Sequence, residues 1–164
     1  MIPSKEYKWD IVKEMGRDFN TFVETGTFMG EMVWAQRGNF SLIHSVELHN
    51  VYYEKAVKKF HNFKHIHIHR GDSADVLKSL ITDLPPALFW LDAHYSGGST
   101  AKGKKETPIR EELEIILATG QPHAILIDDA RCFGKFTDFP TLDELTELIG
   151  DFELENDIIW KDLR

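Results

Sequence analysis

The sequence predicts an α/β domain with a mainly parallel seven-stranded sheet, closed by a C-terminal antiparallel hairpin and covered by helices on both faces. Three observations predict it. Short apolar runs alternate with helical segments from Thr21 to Ile127, which is the rhythm of strand–helix–strand units. The runs are dense in Ile, Leu, Val and Phe, as strands buried on two faces are. Two further short runs flank Asn156-Asp157, a two-residue hairpin signal.

The elements follow in order. Ser4 to Arg17 reads as an N-terminal helix with Tyr7, Ile11 and Met15 on one face, matching the 3.6-residue period. The first strand is Thr21 to Glu24, closed by Thr25-Gly26, and a helix runs from Gly30 to about Gly38. Leu42 to Glu47 is the second strand, and Asn50 can cap the helix that reaches about Phe63. His65 to Arg70 is the third strand, ended by Gly71, and the helix from Ser73 to Leu84 stops at Pro85-Pro86. Ala87 to Leu91 is the fourth strand. A polar loop spans Asp92 to Thr107, and Pro108 suits the first position of a helix to about Thr119. Ala124 to Ile127 is the fifth strand, and Thr141 opens a helix ended by Gly150. Phe152 to Glu155 and Ile158 to Lys161 make the hairpin. The whole chain, residues 1–164, forms one domain, with residues 1–20 as an N-terminal helical extension.

Composition narrows the function classes. The chain is 42% hydrophobic and 28% charged, values that exclude disordered and membrane-embedded classes. No apolar run reaches the roughly 18 residues of a membrane span, and the first twenty residues lack a signal-peptide core. The formal net charge of -8 weighs against nucleic-acid or anionic-membrane partners, which need a basic face. The single cysteine, Cys132, excludes an internal disulfide and a Cys-rich zinc site. A reducing, cytoplasmic location is expected.

In open parallel sheets, ligands bind beyond the carboxyl ends of the strands. Each of the five runs carries a carboxylate there: Glu24, Glu47, Asp72, Asp92, and the pair Asp128-Asp129. Only 27 of 164 residues are acidic, so five ends out of five exceeds the chance expectation. Like charges on one rim repel, and a cation, a metal ion or a donor-rich ligand offsets that cost. Gly26 permits a tight strand-to-helix turn and Gly30 a close approach at the helix start. Glu47 lies 21 residues beyond Gly26, the distance at which an acidic side chain receives a ribose diol. Together these point to a cofactor that contains a nucleoside.

The series Glu24-x-Gly26-x-x-x-Gly30, Glu47, Gly71-Asp72-Ser73 and Asp92 resembles the motifs of class I S-adenosylmethionine-dependent methyltransferases, over about Phe22 to Asp129. The resemblance implies a Rossmann-like methyltransferase fold. It also implies that the turn Glu24, Gly26, Thr27, Phe28, Gly30 holds the methionine end of the cofactor. Glu47, with Leu48 beside it, would receive the ribose hydroxyls, Asp72 and Ser73 would meet the adenine edge, and Asp92 would line the same pocket. Phe28 stands where the family's usual turn has its middle glycine. The stretches Phe89-Trp90-Leu91-Asp92-Ala93-His94-Tyr95 and Ile125-Leu126-Ile127-Asp128-Asp129 further resemble small-molecule O-methyltransferases of the macrocin and catechol types, which use a divalent metal. The implied metal ligands are Asp92, Asp128 and Asp129, with Mg²⁺ or another divalent cation as the ion. Tyr95 occupies the place of the lysine that the catechol type carries.

Three carboxylates are hard oxygen donors suited to such ions. A metal would lower the pKa of a substrate hydroxyl; alternatively His94 would act as general base without one. Asp92 and His94 are therefore the candidate catalytic residues. His65, His67 and His69 alternate along the third strand and share one face, a comb that reads either as a metal site or as the polar face of an edge strand. The expected function is methyl transfer to a hydroxyl of a small molecule or glycoside. Two alternatives are an NAD(P)-dependent oxidoreductase, against which the glycine spacing and Asp72 argue, and a non-catalytic cofactor-binding domain. The short chain brings no insertion to cap a substrate, a wall that a homodimer would supply.

Overall fold

The computed structural model describes residues 2–93 and 107–164. The element order is α1 (Lys5–Met15), β1 (Thr21–Thr25), α2 (Glu31–Gln36), β2 (Leu42–Glu47), α3 (Asn50–Phe60), β3 (Ile66–Arg70), α4 (Ser73–Leu80), β4 (Ala87–Leu91), α5 (Ile109–Ala118), β5 (Ala124–Ile127), α6 (Leu142–Ile149), β6 (Glu153–Glu155) and β7 (Ile158–Asp162). The strands form one sheet in the order β3-β2-β1-β4-β5-β7-β6. β1 to β5 pair in parallel, β7 runs antiparallel to β5, and β6 antiparallel to β7.

The sheet is buried on both faces because successive side chains of each strand point to opposite sides. On β1, Phe22 joins Val12, Val33, Phe40, Ile43 and Phe60 under α1, α2 and α3. Its neighbour Val23 joins Leu77, Leu113, Ile116 and Leu145 under α4, α5 and α6. β1, β4 and β5 are buried along their whole length, so the centre of the sheet positions the site and its rim cannot drift.

Local chemistry explains the element ends. Ser4 caps α1 through Tyr7 N–H, and Thr141 with Glu144 forms a full capping box on α6. The cap of α3 is His49, whose Nδ1 accepts from Val51 N–H, rather than Asn50. Pro108 stands one residue before α5 rather than inside it. The helix expected to reach Leu84 ends at Leu80 and tightens into a 3₁₀ turn over Ile81–Asp83. Asn156 and Asp157 take φ of 48° and 68°, the left-handed pair that joins twisted antiparallel strands. No helix among the described residues is long and apolar enough to cross a membrane.

Candidate active site

The carboxyl ends of β1, β2, β4 and β5 bring the expected acidic residues to one rim. Glu24 stands one residue before the end of β1 with its carboxyl buried, accepting from Ser45 Oγ at 2.5 Å; Ser45 Oγ lies 2.5 Å from Thr27 Oγ1. Burial pushes the Glu24 carboxyl well above the usual carboxylate range; the Ser45 hydrogen bond opposes this, Asp92 and Glu47 add to it, and Lys59 acts against it. A positive charge bound beside this carboxyl would favour its ionised form.

The turn after β1 is built by conformation. Gly26 has φ +89°, and a Cβ there would lie 2.7 Å from the Asp92 carbonyl oxygen, so only glycine lets the β1 and β4 ends meet. Phe28, in the place of the family's middle glycine, takes φ +46° itself, an uncommon conformation for a bulky side chain. Its N–H donates to Glu47 Oε2 at 2.7 Å, while His49 N–H donates to Glu47 Oε1 at 2.7 Å. Glu47 thereby ties the β1 and β2 loops together. Each of its oxygens keeps a further acceptor position for a hydroxyl. Leu48 beside it is partly exposed.

Asp72 caps α4, its Oδ1 accepting from Ala74 N–H at 3.2 Å. Ser73 is buried, and its hydroxyl donates to Glu112 Oε1 at 2.5 Å, which leaves its oxygen as an acceptor. Glu112 also takes a hydrogen bond from Thr25. It is 1% exposed. Burial lifts its carboxyl to about 7, against the Ser73 and Thr25 hydrogen bonds and with help from Asp72 and Asp92.

Asp92, Asp128 and Asp129 converge: one oxygen from each lies within 4.8 Å of the others. Asp129 is buried rather than turned to water. It sits at φ 57°, donates its N–H to Asp128 Oδ1 at 2.8 Å and pairs with Arg131 at 2.5 Å. Arg131 also pairs with Asp157. Burial raises the Asp128 carboxyl to about 7, with Asp92 and Asp129 adding and Lys8 opposing. Lys8, from α1, forms the ion pair with Asp128 and lies in the field of all three carboxylates. His94 lies outside the described residues, as does most of the loop from Asp92 to Thr107.

Sequence reasoning missed Lys8, Ser45 and Glu112. Lys8 is 120 positions from Asp128, and Glu112 is 39 positions from Ser73. The histidine comb is rearranged as well. His65 precedes β3 and bonds the Arg37 carbonyl at 2.7 Å, while His67 and His69 meet His44 of β2. Burial, with His69 and His67 nearby, holds His44 down at about 4.

The fold is shared with known structures. A Klebsiella pneumoniae chain, provisionally assigned as an O-methyltransferase, superposes with a TM-score of 0.69 at 12% identity over 96% of this chain and 80% of that one. A methyltransferase of Podospora anserina, solved with S-adenosylhomocysteine bound, gives 0.68 at 16% identity over 96% and 78%. An rRNA methylase from Streptococcus thermophilus gives 0.60 at 14% identity over 100% and 99%. The fold is that of the class I S-adenosylmethionine-dependent methyltransferases. No protein-family model matches the chain, and no curated protein matches its sequence. In this chain the turn over residues 26–30 follows β1, Glu47 is the last residue of β2, and Asp92 with Asp128 and Asp129 directly follows β4 and β5.

Proposed function

We propose that this chain is an S-adenosylmethionine-dependent methyltransferase acting on a hydroxyl of a small molecule or glycoside. The observation that carries the reading is the gathering of acidic side chains at the rim: Glu24 and Glu47 on one side, and Asp92, Asp128 and Asp129 with one oxygen of each within 4.8 Å of the others. These residues fit a cationic nucleoside cofactor. The Glu24 carboxyl suits the cofactor's positive methionine end, and Glu47 offers acceptor positions to a ribose. Bound there, the cofactor supplies an activated sulfonium methyl. The chain's own part is then alignment and exclusion of water.

The donor set of Asp92, Asp128 and Asp129 also fits a hard divalent cation with water completing its shell. Such an ion would supply Lewis acidity toward the acceptor hydroxyl. Lys8 brings one positive charge to the same cluster and so already offsets part of its repulsion.

A cleft of about 470 Å³ adjoins the cluster through Arg131, with Ile2, Phe133, Leu142 and Leu154 as apolar walls and Lys135 on its lining. Its size suits a small acceptor, with Arg131, Lys135 and Asp157 as polar contacts among the apolar walls. The net charge of -8 weighs against an RNA acceptor, whose phosphates need a basic face.

Calorimetry with S-adenosylmethionine and S-adenosylhomocysteine tests the cofactor, and release of S-adenosylhomocysteine over a panel of phenols, catechols and glycosides, with Mg²⁺ or with chelator, tests the reaction. Absence of binding to both nucleosides overturns the reading. Binding without turnover on any acceptor favours the non-catalytic alternative.

A further inference from the structure

Strand register, rather than chain proximity, gathers a second group of donors away from the acidic rim. His44 pairs with His67 across β2 and β3, and His69 follows two positions later on the same face. This face is the one Val23 shares, opposite Ser45 and Glu47. His44 Nδ1 and His69 Nε2 lie 2.9 Å apart, and the His67 ring stacks on His44 with centroids 5.2 Å apart. His67 is exposed, and His44 and His69 are half-buried at the sheet edge.

That separation has a geometric meaning. An ion bound to both nitrogens at the usual imidazole–metal length of roughly 2.0–2.1 Å would subtend about 90° between them. Ninety degrees is the angle of adjacent ligands in tetragonal Cu²⁺ and Ni²⁺ sites, whereas tetrahedral zinc needs the two nitrogens farther apart. A neutral imidazole offers one lone pair. The proton now shared between the rings would move to the other nitrogen of its own ring, so both rings stay neutral and no proton is lost.

We propose that His44 Nδ1 and His69 Nε2 form a two-imidazole chelate for a late first-row divalent cation of the Cu²⁺ or Ni²⁺ class at the β2–β3 edge. The site is independent of the methyl-transfer reading. A bound ion would cross-link the outermost strand, which has a neighbour on one side only.

The test uses the full, untagged, metal-stripped chain. Calorimetric titration with Ni²⁺ in excess Mg²⁺, which competes for the carboxylate rim and not for imidazole, is expected to give one ion per chain. His44→Asn and His69→Asn are each expected to weaken it by roughly tenfold or more, and Asp92→Asn with Asp128→Asn to leave it intact. Electron paramagnetic resonance of the native chain with one equivalent of Cu²⁺ is expected to show coupling to two imidazole nitrogens. That measurement needs no variant, so misfolding of a histidine substitution cannot mask the outcome. The proposal is overturned if Ni²⁺ does not bind, if binding survives both histidine substitutions, if it vanishes with the aspartate substitutions, or if Cu²⁺ couples to fewer than two imidazoles.

Discussion

Glu112 provides the sharpest test of the physical reasoning. It is 1% exposed, and its carboxyl is held at about 7 against an ordinary 4.5, chiefly by burial. A carboxyl whose pKa is raised on folding binds its proton more tightly in the folded state. Its contribution to stability is therefore complete below the unfolded value and is lost as pH rises through the folded one. The displacement corresponds to about 3 kcal/mol. Glu112→Gln keeps an acceptor for Ser73 and cannot ionise. The variant should match the native chain near about pH 4.5 and exceed it by about 3 kcal/mol near about pH 8. For a chain of this size that is a difference in Tm of roughly 6–12 °C. His44, held low, acts in the opposite sense, losing stability as pH falls from 6.5 toward about 4. It is common to both proteins and cancels in the difference. Urea unfolding of the two proteins at several pH values measures this directly. Parallel curves over the whole range would refute the claim that Glu112 is buried as a proton-holding acid.

Further expectations follow the same logic. Lys8→Met should cost about 3 kcal/mol by leaving Asp128 buried with Asp92 and Asp129 for company, while Lys8→Arg retains most of that stability; urea midpoints decide, and a loss under about 1 kcal/mol for Lys8→Met contradicts it. Gly26→Ala should lose about 2–4 kcal/mol from the positive φ and the 2.7 Å approach to the Asp92 carbonyl, read by thermal unfolding. Glu47→Gln should weaken S-adenosylhomocysteine binding by roughly 10-fold in calorimetry, since one loop amide and one ribose hydroxyl lose an acceptor. Asp92→Asn with Asp128→Asn should abolish any Mn²⁺ binding at the rim, and unchanged Mn²⁺ affinity would remove those residues from the metal reading.

The sequence by itself determined the order of strands and helices, the closing Asn156-Asp157 hairpin and the line of carboxylates at the strand ends. Hydrophobic period, turn residues and caps act over a few positions, so they can be read from neighbours along the chain. The errors at this level are small: His49 rather than Asn50 caps α3, and α4 tightens early into a 3₁₀ turn. Tertiary structure alone decided which polar groups meet. Lys8 reaches Asp128 across the molecule, Ser73 claims Glu112 from a different helix, and His44 joins His67 and His69 because two strands pair in one register. Each of these contacts spans elements whose relative placement is set by burying the apolar faces of the sheet. The polar partners come with that packing and leave no local mark in the chain.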